Sequence, residues 1–300
     1  MVRRREGGGP TRVERVSVGR RGAPQLDELL AQHRAKVTQQ HRVRNAQQLV
    51  KMVDAVGMCF AFTPAQGLPI PACFDHLSTN DEDRKWGWMW GWKDELAEQK
   101  RLYYGPVLAR KPTFVSMRLL PVMYATFGRA GEPDDHLEDV RAGRISDIGR
   151  RIIEYLRAEP PGGSQTRRMR ADLGITSKEG RGQYDKALDE VQRLMYVARV
   201  KAVGEGREEY NYTYDLFVRR YPEVLKAAEP MASPDARATV LARAVELAGA
   251  LTEKQAAKLF DFGDVPLRRA VERLCSDGAV LRRERGREAI LLLPIYADAA

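Results

Sequence analysis

Two separate stretches of this chain each read as three helices followed by a β-hairpin. That repetition predicts an α+β, mostly helical protein built of tandem winged helix-turn-helix modules. The charge distribution agrees with it: the net charge is +9 and is unevenly spread, as suits a fold that meets a polyanion.

Residues 1–44 hold eleven Lys and Arg against four Asp and Glu, a basic N-terminal arm expected to be partly disordered and to end in a helix. Residues 45–142 are read as an N-terminal winged-helix-like module. Asn45 starts a helix there, with Leu49, Met52, Val53 and Val56 on its apolar face up to Gly57. Trp86, Trp88, Trp90 and Trp92 follow, interleaved with Gly87 and Gly91. The glycines predict an extended or turning segment until a helix takes over at Trp92 and runs to Tyr104. Pro112 to Leu120 reads as strand and turn, and 129–142 as a polar linker.

The second module spans 143–222. Ile145, Ile148, Ile152 and Leu156 mark its first helix, which stops before Pro160-Pro161. Ser164 can cap a second helix ending at Gly174, and a third runs from Glu179 to Tyr196. Its hairpin alternates Ala198, Val200, Ala202 with Arg199, Lys201, then Tyr210, Tyr212, Tyr214 with Asn211, Thr213. Residues 204–209 make the wing tip and 222–235 a second linker. The third module, 235–297, opens on a helix to Leu251. Thr252-Glu-Lys-Gln255 is a capping-box start for the next, and Asp264 begins a third that ends at Gly278. Strands at 279–283 and 288–293 close it.

Several function classes are excluded by what the chain lacks. No apolar run is long enough for a membrane span, and the first residues lack the stretch a secretory signal needs, so a cytoplasmic, nucleoid-associated protein is expected. Cys59, Cys73 and Cys275 form no Cys-x-x-Cys pair, which argues against a disulfide framework and a zinc module. The four histidines show no His-Glu-x-x-His spacing, and no Gly-x-x-x-x-Gly-Lys-Ser/Thr loop occurs. Neither a metal nor a nucleotide cofactor is expected.

The expected partner is double-stranded DNA, damaged DNA included. In the second module Arg167 and Arg168 precede a third helix bearing Lys178, Arg181, Gln183 and Lys186. In the last, the third helix carries Arg268, Arg269 and Arg273, and the wing carries Arg282, Arg285 and Arg287. Arginine suits phosphate and guanine through its planar fork. The tryptophans are candidates for stacking on an extruded base or wedging into the duplex, against the plainer reading that they pack the first module on its neighbours. Asp94 and Glu95 are candidate groups for positioning water at a sugar carbon, and a second carboxylate pair stands at Asp134 and Asp135.

From Asn45 to Pro294 the chain resembles the AlkZ/YcaQ superfamily of tandem winged-helix DNA glycosylases, particularly its AlkZ-related branch. The resemblance is carried by Trp92-Lys-Asp-Glu-Leu96 through Tyr103-Tyr-Gly-Pro-Val-Leu-Ala-Arg-Lys-Pro-Thr-Phe-Val-Ser-Met-Arg-Leu-Leu-Pro121. It implies removal of alkylated bases by a short Gln-apolar-Gln or Gln-apolar-Asp motif near the first module. That position falls at Met58-Cys-Phe-Ala-Phe62, where there is neither Gln nor Asp. Gln25-Leu26-Asp27 spells such a motif ahead of the matched region. The expectation is therefore a DNA-binding, repair-related protein. An active glycosylase, a transcriptional regulator and a protein-binding scaffold are the alternatives.

Overall fold

The computed structural model describes residues 25–64, 67–129, 132, 135–204 and 210–299. Most of the expected basic arm, Asp134 and the wing tip at 205–209 lie outside the described residues.

Among the described residues three antiparallel sheets of three strands organise the chain, and in each the last strand is central. Helix α1 (Leu26–Thr38) comes first. The first unit then runs through α2 (Ala46–Val56), β1 (Met58–Phe60), a 3-10 turn at Cys73–His76, α3 (Glu82–Glu98) and the hairpin β2 (Leu102–Leu108) and β3 (Lys111–Ser116). Helices α4 (Leu120–Phe127) and α5 (His136–Arg141) lead to the second unit: α6 (Asp147–Ala158), β4 (Ser164–Gln165), α7 (Thr166–Asp172), α8 (Lys178–Arg193), β5 (Val197–Val203) and β6 (Asn211–Leu216). After α9 (Phe217–Arg220) and α10 (Pro222–Ala228), the third unit comprises α11 (Ser233–Ala248), β7 (Ala250–Thr252), α12 (Glu253–Phe260), α13 (Asp264–Ser276), β8 (Leu281–Arg285) and β9 (Glu288–Leu292).

Local chemistry sets the boundaries. The Asn45 side chain accepts from the Gln48 amide at 2.9 Å and starts α2. Thr252 and Gln255 form a reciprocal capping box on α12. Ser164 caps nothing; it pairs with Tyr214 in the sheet, and Gln165 stands at the N-cap of α7.

Three further expectations are corrected. The tryptophan stretch is helical from Glu82 rather than extended. Asp81 accepts from the Arg84 amide at 3.0 Å, Glu82 and Asp83 favour the positive end of the helix, and Met89, Lys93, Leu96 and Ala97 are buried. A Cβ added at Gly87 or Gly91 would meet nothing within 4 Å, so both glycines lie on the open face. Each costs about 1 kcal/mol of helix propensity, which the buried face offsets. Second, the polar stretch read as a linker holds α5. There Asp139, almost fully buried, accepts from Tyr196 Oη and from Arg144 Nε, each at 2.6 Å. Third, α10 occupies the start of the other supposed linker and buries Val224 and Ala228.

One large core joins the first and third units, from Val43 through Leu49, Phe114 and Tyr124 to Leu241, Phe260 and Leu291. A separate core, around Ile152, Tyr184, Val191 and Leu216, belongs to the second unit. Phe217, which follows the second unit's last strand, lies in the large core and stacks on Tyr124 at 4.9 Å. Leu26 and Leu30 of α1 cover Ala250, Ile290 and Leu292. The Cys59 and Cys73 sulfurs are 3.1 Å apart as free, buried thiols, and burial pushes the Cys73 thiol well up. Among the described residues no helix is long and apolar enough to cross a membrane.

Candidate functional site

Helical geometry divides the tryptophans of α3 into two i,i+4 pairs. Trp88 and Trp92 stack on each other at 5.1 Å and are partly buried. Trp86 and Trp90 face outward, 45% and 49% exposed. Trp86 stacks on Phe62 at 5.5 Å and meets Phe74 at 4.7 Å, and Trp90 stands edge-on to Tyr210 at 5.9 Å. The result is an aromatic shelf reaching solvent between the first and second units.

Directly beneath it lies a buried ionic cluster. Lys93, 1% exposed, donates from Nζ to Asp94 Oδ2 at 2.7 Å, Tyr210 Oη at 2.6 Å and Tyr212 Oη at 3.1 Å. The same Nζ sits 4.2 Å from the centre of the Trp90 ring. Tyr210 Oη donates to the same Asp94 oxygen. The other carboxylate oxygen, Oδ1, is buried without a hydrogen-bond partner among the described residues, 3.7 Å from Arg199 Nη1. Arg199 lies between Tyr212 and Tyr104, its guanidinium carbon 3.6 and 4.7 Å from the ring centres.

Two cations thus share one carboxylate in a dry place. Burial lowers the Lys93 amine from 10.5 to about 8, and the charge of Arg199 works in the same direction, although Asp94 favours the ammonium. Burial pushes the phenol of Tyr210 far up, and its hydrogen bond to Asp94 adds to this. The phenols therefore remain proton donors at neutral pH. A lysine that can lose its proton near neutrality is chemically different from the solvated lysines of the surface.

Beside the cluster runs a groove of about 660 Å³, lined by Arg167, Arg170, Arg181 and Asp185 from α7 and α8 and by Tyr210, Asn211 and Tyr212. Its tyrosine wall is formed by the residues whose hydroxyls hold Lys93. Arg167 and Arg181 therefore come together. Lys178 lies one turn before Arg181, while Gln183 and Lys186 are exposed on the adjoining side of α8. Lys178, Arg181 and Lys186 make no ion pair among the described residues. Arg168 is drawn aside by Glu159 at 3.2 Å and Asp172 at 3.5 Å.

The third unit differs. Arg268 approaches Glu272 at 3.9 Å, Arg273 pairs with Asp235 and Asp277, and Arg282 is held by Glu253 at 2.6 Å and Glu284 at 2.8 Å. Arg285 grips Asp27 of α1 with two bonds of 2.7 and 2.9 Å. Arg269 and Arg287 are exposed and make no ion pair among the described residues. Asp94 enters the cluster, whereas Glu95 is exposed and accepts from Gln99 at 3.0 Å. Of the stretch Met58 to Phe62, Met58–Phe60 form the buried strand β1 and Phe62 is half-buried. Gln25 is the N-cap position of α1, and Asp27 is engaged by Arg285.

Sequence reasoning missed Arg199, Tyr104 and Tyr210 as parts of the site. A signal existed: three tyrosines at alternate positions, the first just before β6 and two within it, with Arg199 on the partner strand opposite Tyr214.

The fold is similar to one already solved. The structure of the DNA glycosylase AlkZ from Streptomyces sahachiroi superposes with a TM-score of 0.51, covering 92% of this chain and 71% of that one at 12% identity. A family model described as AlkZ related matches residues 43–261, and the chain belongs to that AlkZ-related family. No curated protein sequence matches it.

Proposed function

We propose that the three units are winged helices, at 45–142, 143–222 and 235–297, and that the chain binds double-stranded DNA in base-excision repair. The order helix, strand, helix, helix, hairpin recurs three times, with the 3-10 turn standing for the second helix in the first unit. This makes α3, α8 and α13 the third helices, the elements that meet the major groove in winged-helix proteins. The observation that carries the DNA reading is the continuity of the basic groove with the aromatic shelf through Tyr210. Phosphates on Arg167 and Arg181 would lie next to rings on which a base can stack. Membership of the AlkZ-related family favours a damaged duplex over an operator.

Hydrolysis of the N-glycosidic bond is the second reading, and Asp94 favours it. A carboxylate oxygen with no hydrogen-bond partner among the described residues, one helical turn beyond Trp90, is the kind of group needed to orient water toward an oxocarbenium-like sugar. Binding to plain, abasic-analogue and alkylated duplexes at rising salt, with product analysis, tests both. Log K is expected to fall by about 0.9 per phosphate contact with log salt. Salt-independent binding would refute the first reading. Abasic product that persists in Asp94→Asn would refute Asp94 as the responsible group. Tight binding to a single undamaged sequence would make the chain a regulator instead.

A further inference from the structure

From the contacts of its amine, we infer that Lys93 is a nucleophile that condenses with the aldehyde of an abasic site in DNA, giving the chain an abasic-site lyase activity. This rests on the DNA-binding reading above and names a substrate class for the same site.

A buried ammonium serving only as a structural strut is best matched by carboxylates. Lys93 instead has one shared carboxylate and two phenols, and a second cation, Arg199, competes for that carboxylate. Such surroundings ease the loss of its proton, which a Schiff-base lysine requires. The amine is also close to the place a sugar would reach. It lies 4.2 Å from the Trp90 ring centre and 5.0 Å from that of Tyr210, both of which reach solvent, and Tyr210 and Tyr212 wall the arginine-lined groove.

The steps balance without any further reagent. The ammonium proton passes to Asp94 Oδ2, and the free amine adds to C1′ of the ring-opened sugar. The resulting carbinolamine loses its hydroxyl as water, taking a proton back, and leaves an imine. Asp94 Oδ2, ionised again after the dehydration, takes the C2′ proton, and the electrons so released expel the 3′-phosphate oxygen with the C3′–O electron pair and form a C2′–C3′ double bond. Water finally cleaves the imine, returning the amine and releasing an unsaturated aldehyde on the upstream strand. Tyr210 and Tyr212 position the amine.

The test uses the full chain and a duplex carrying one preformed abasic site, incubated with sodium borohydride. Reduction of the imine should give a covalent protein–DNA adduct, mapped by mass spectrometry to the peptide containing Lys93. Lys93→Met, which keeps the volume, should lose the adduct. An adduct mapped to another amine, or no adduct although the duplex is bound, overturns the inference and leaves the DNA-binding reading intact. Absence of both binding and adduct overturns both. If Lys93→Met does not fold, the mapping in the unaltered chain decides.

Discussion

At Lys93 the cost of burial and the gain from three hydrogen bonds act on a single amine, and pH separates them. The folded chain binds this proton less tightly than the unfolded chain, with the amine at about 8 against 10.5. Between those values the unfolded state holds more protons, so stability must rise with pH. The contribution of Lys93 is fully present above 10.5 and is lost as pH falls through about 8. The raised phenols of Tyr104 and Tyr210 act oppositely above pH 10, where the unfolded chain loses those protons first. Comparing Tm with Lys93→Met removes the tyrosine contribution: the difference should move in favour of the unaltered chain from pH 8 to 10, and a flat difference would contradict the assignment. The outward tryptophan can be separated from its inward neighbour in the same way. Trp90→Ala should weaken binding to a duplex with an extruded or missing base by about 1–3 kcal/mol, read by titration. Trp88→Ala, which breaks the stacked pair, should lower Tm and leave binding of the remaining folded protein alone. The sequence placed Asp94, Trp86 and Trp90 among the candidates through residue type alone. It could not place Arg199 or Tyr104 beside them, because β2, α3 and β5 meet only through tertiary packing.

Helix α3 shows how an element can defeat a local rule. Glycines at 87 and 91 pointed to an extended or turning segment, yet the N-cap at Asp81 and the buried stripe from Met89 to Ala97 hold it helical. Since neither glycine has a neighbour where a Cβ would go, Gly91→Ala should raise stability by about 0.5–1 kcal/mol, measurable by denaturant titration. Gly163 is the opposite case. Its φ is +77°, and a Cβ there would fall 2.0 Å from the Tyr214 carbonyl oxygen, so Gly163→Ala should separate β4 from β6 and destabilise the second unit. Elements with regular periodicity, such as α6 and α12, were legible because one face is apolar and capped. Helices α5 and α10 were not, because α5 buries Asp139 in a polar clamp and α10 is too short to show a period. Helix α8 and the hairpin β8–β9 also differ in what their cations are free to do. Removing Arg181 should reduce the salt dependence of DNA binding by about one contact's worth of slope. Arg285→Ala should instead loosen α1 from the third unit, seen as faster amide exchange across α1.

The packing of the whole chain makes the first unit depend on the last. Its core continues through Leu120, Met123 and Tyr124 of α4 into Val240, Leu241, Ala244 and Val245 of α11. Backbone contacts reinforce the junction: Arg243 donates from Nε to the Val56 carbonyl at 3.0 Å, and the Ala109 amide donates to the Leu259 carbonyl at 2.7 Å. The second unit lends Met195, Ala198, Phe217 and Tyr221 to that shared core but also has a core of its own. A chain ending at residue 228 should therefore keep the middle unit folded and lose the first, despite retaining every residue of both. All four tryptophans lie in α3, so near-ultraviolet circular dichroism in the indole region reports on the first unit alone. In the shortened chain that signal should collapse, while far-ultraviolet helicity falls only in part and still melts cooperatively. The aromatic shelf would be lost with it, and discrimination between damaged and plain duplex should vanish before electrostatic binding through α7 and α8 does. A native indole band in the shortened chain would mean that the first unit stands without the third, and that the shared core contributes contact rather than support.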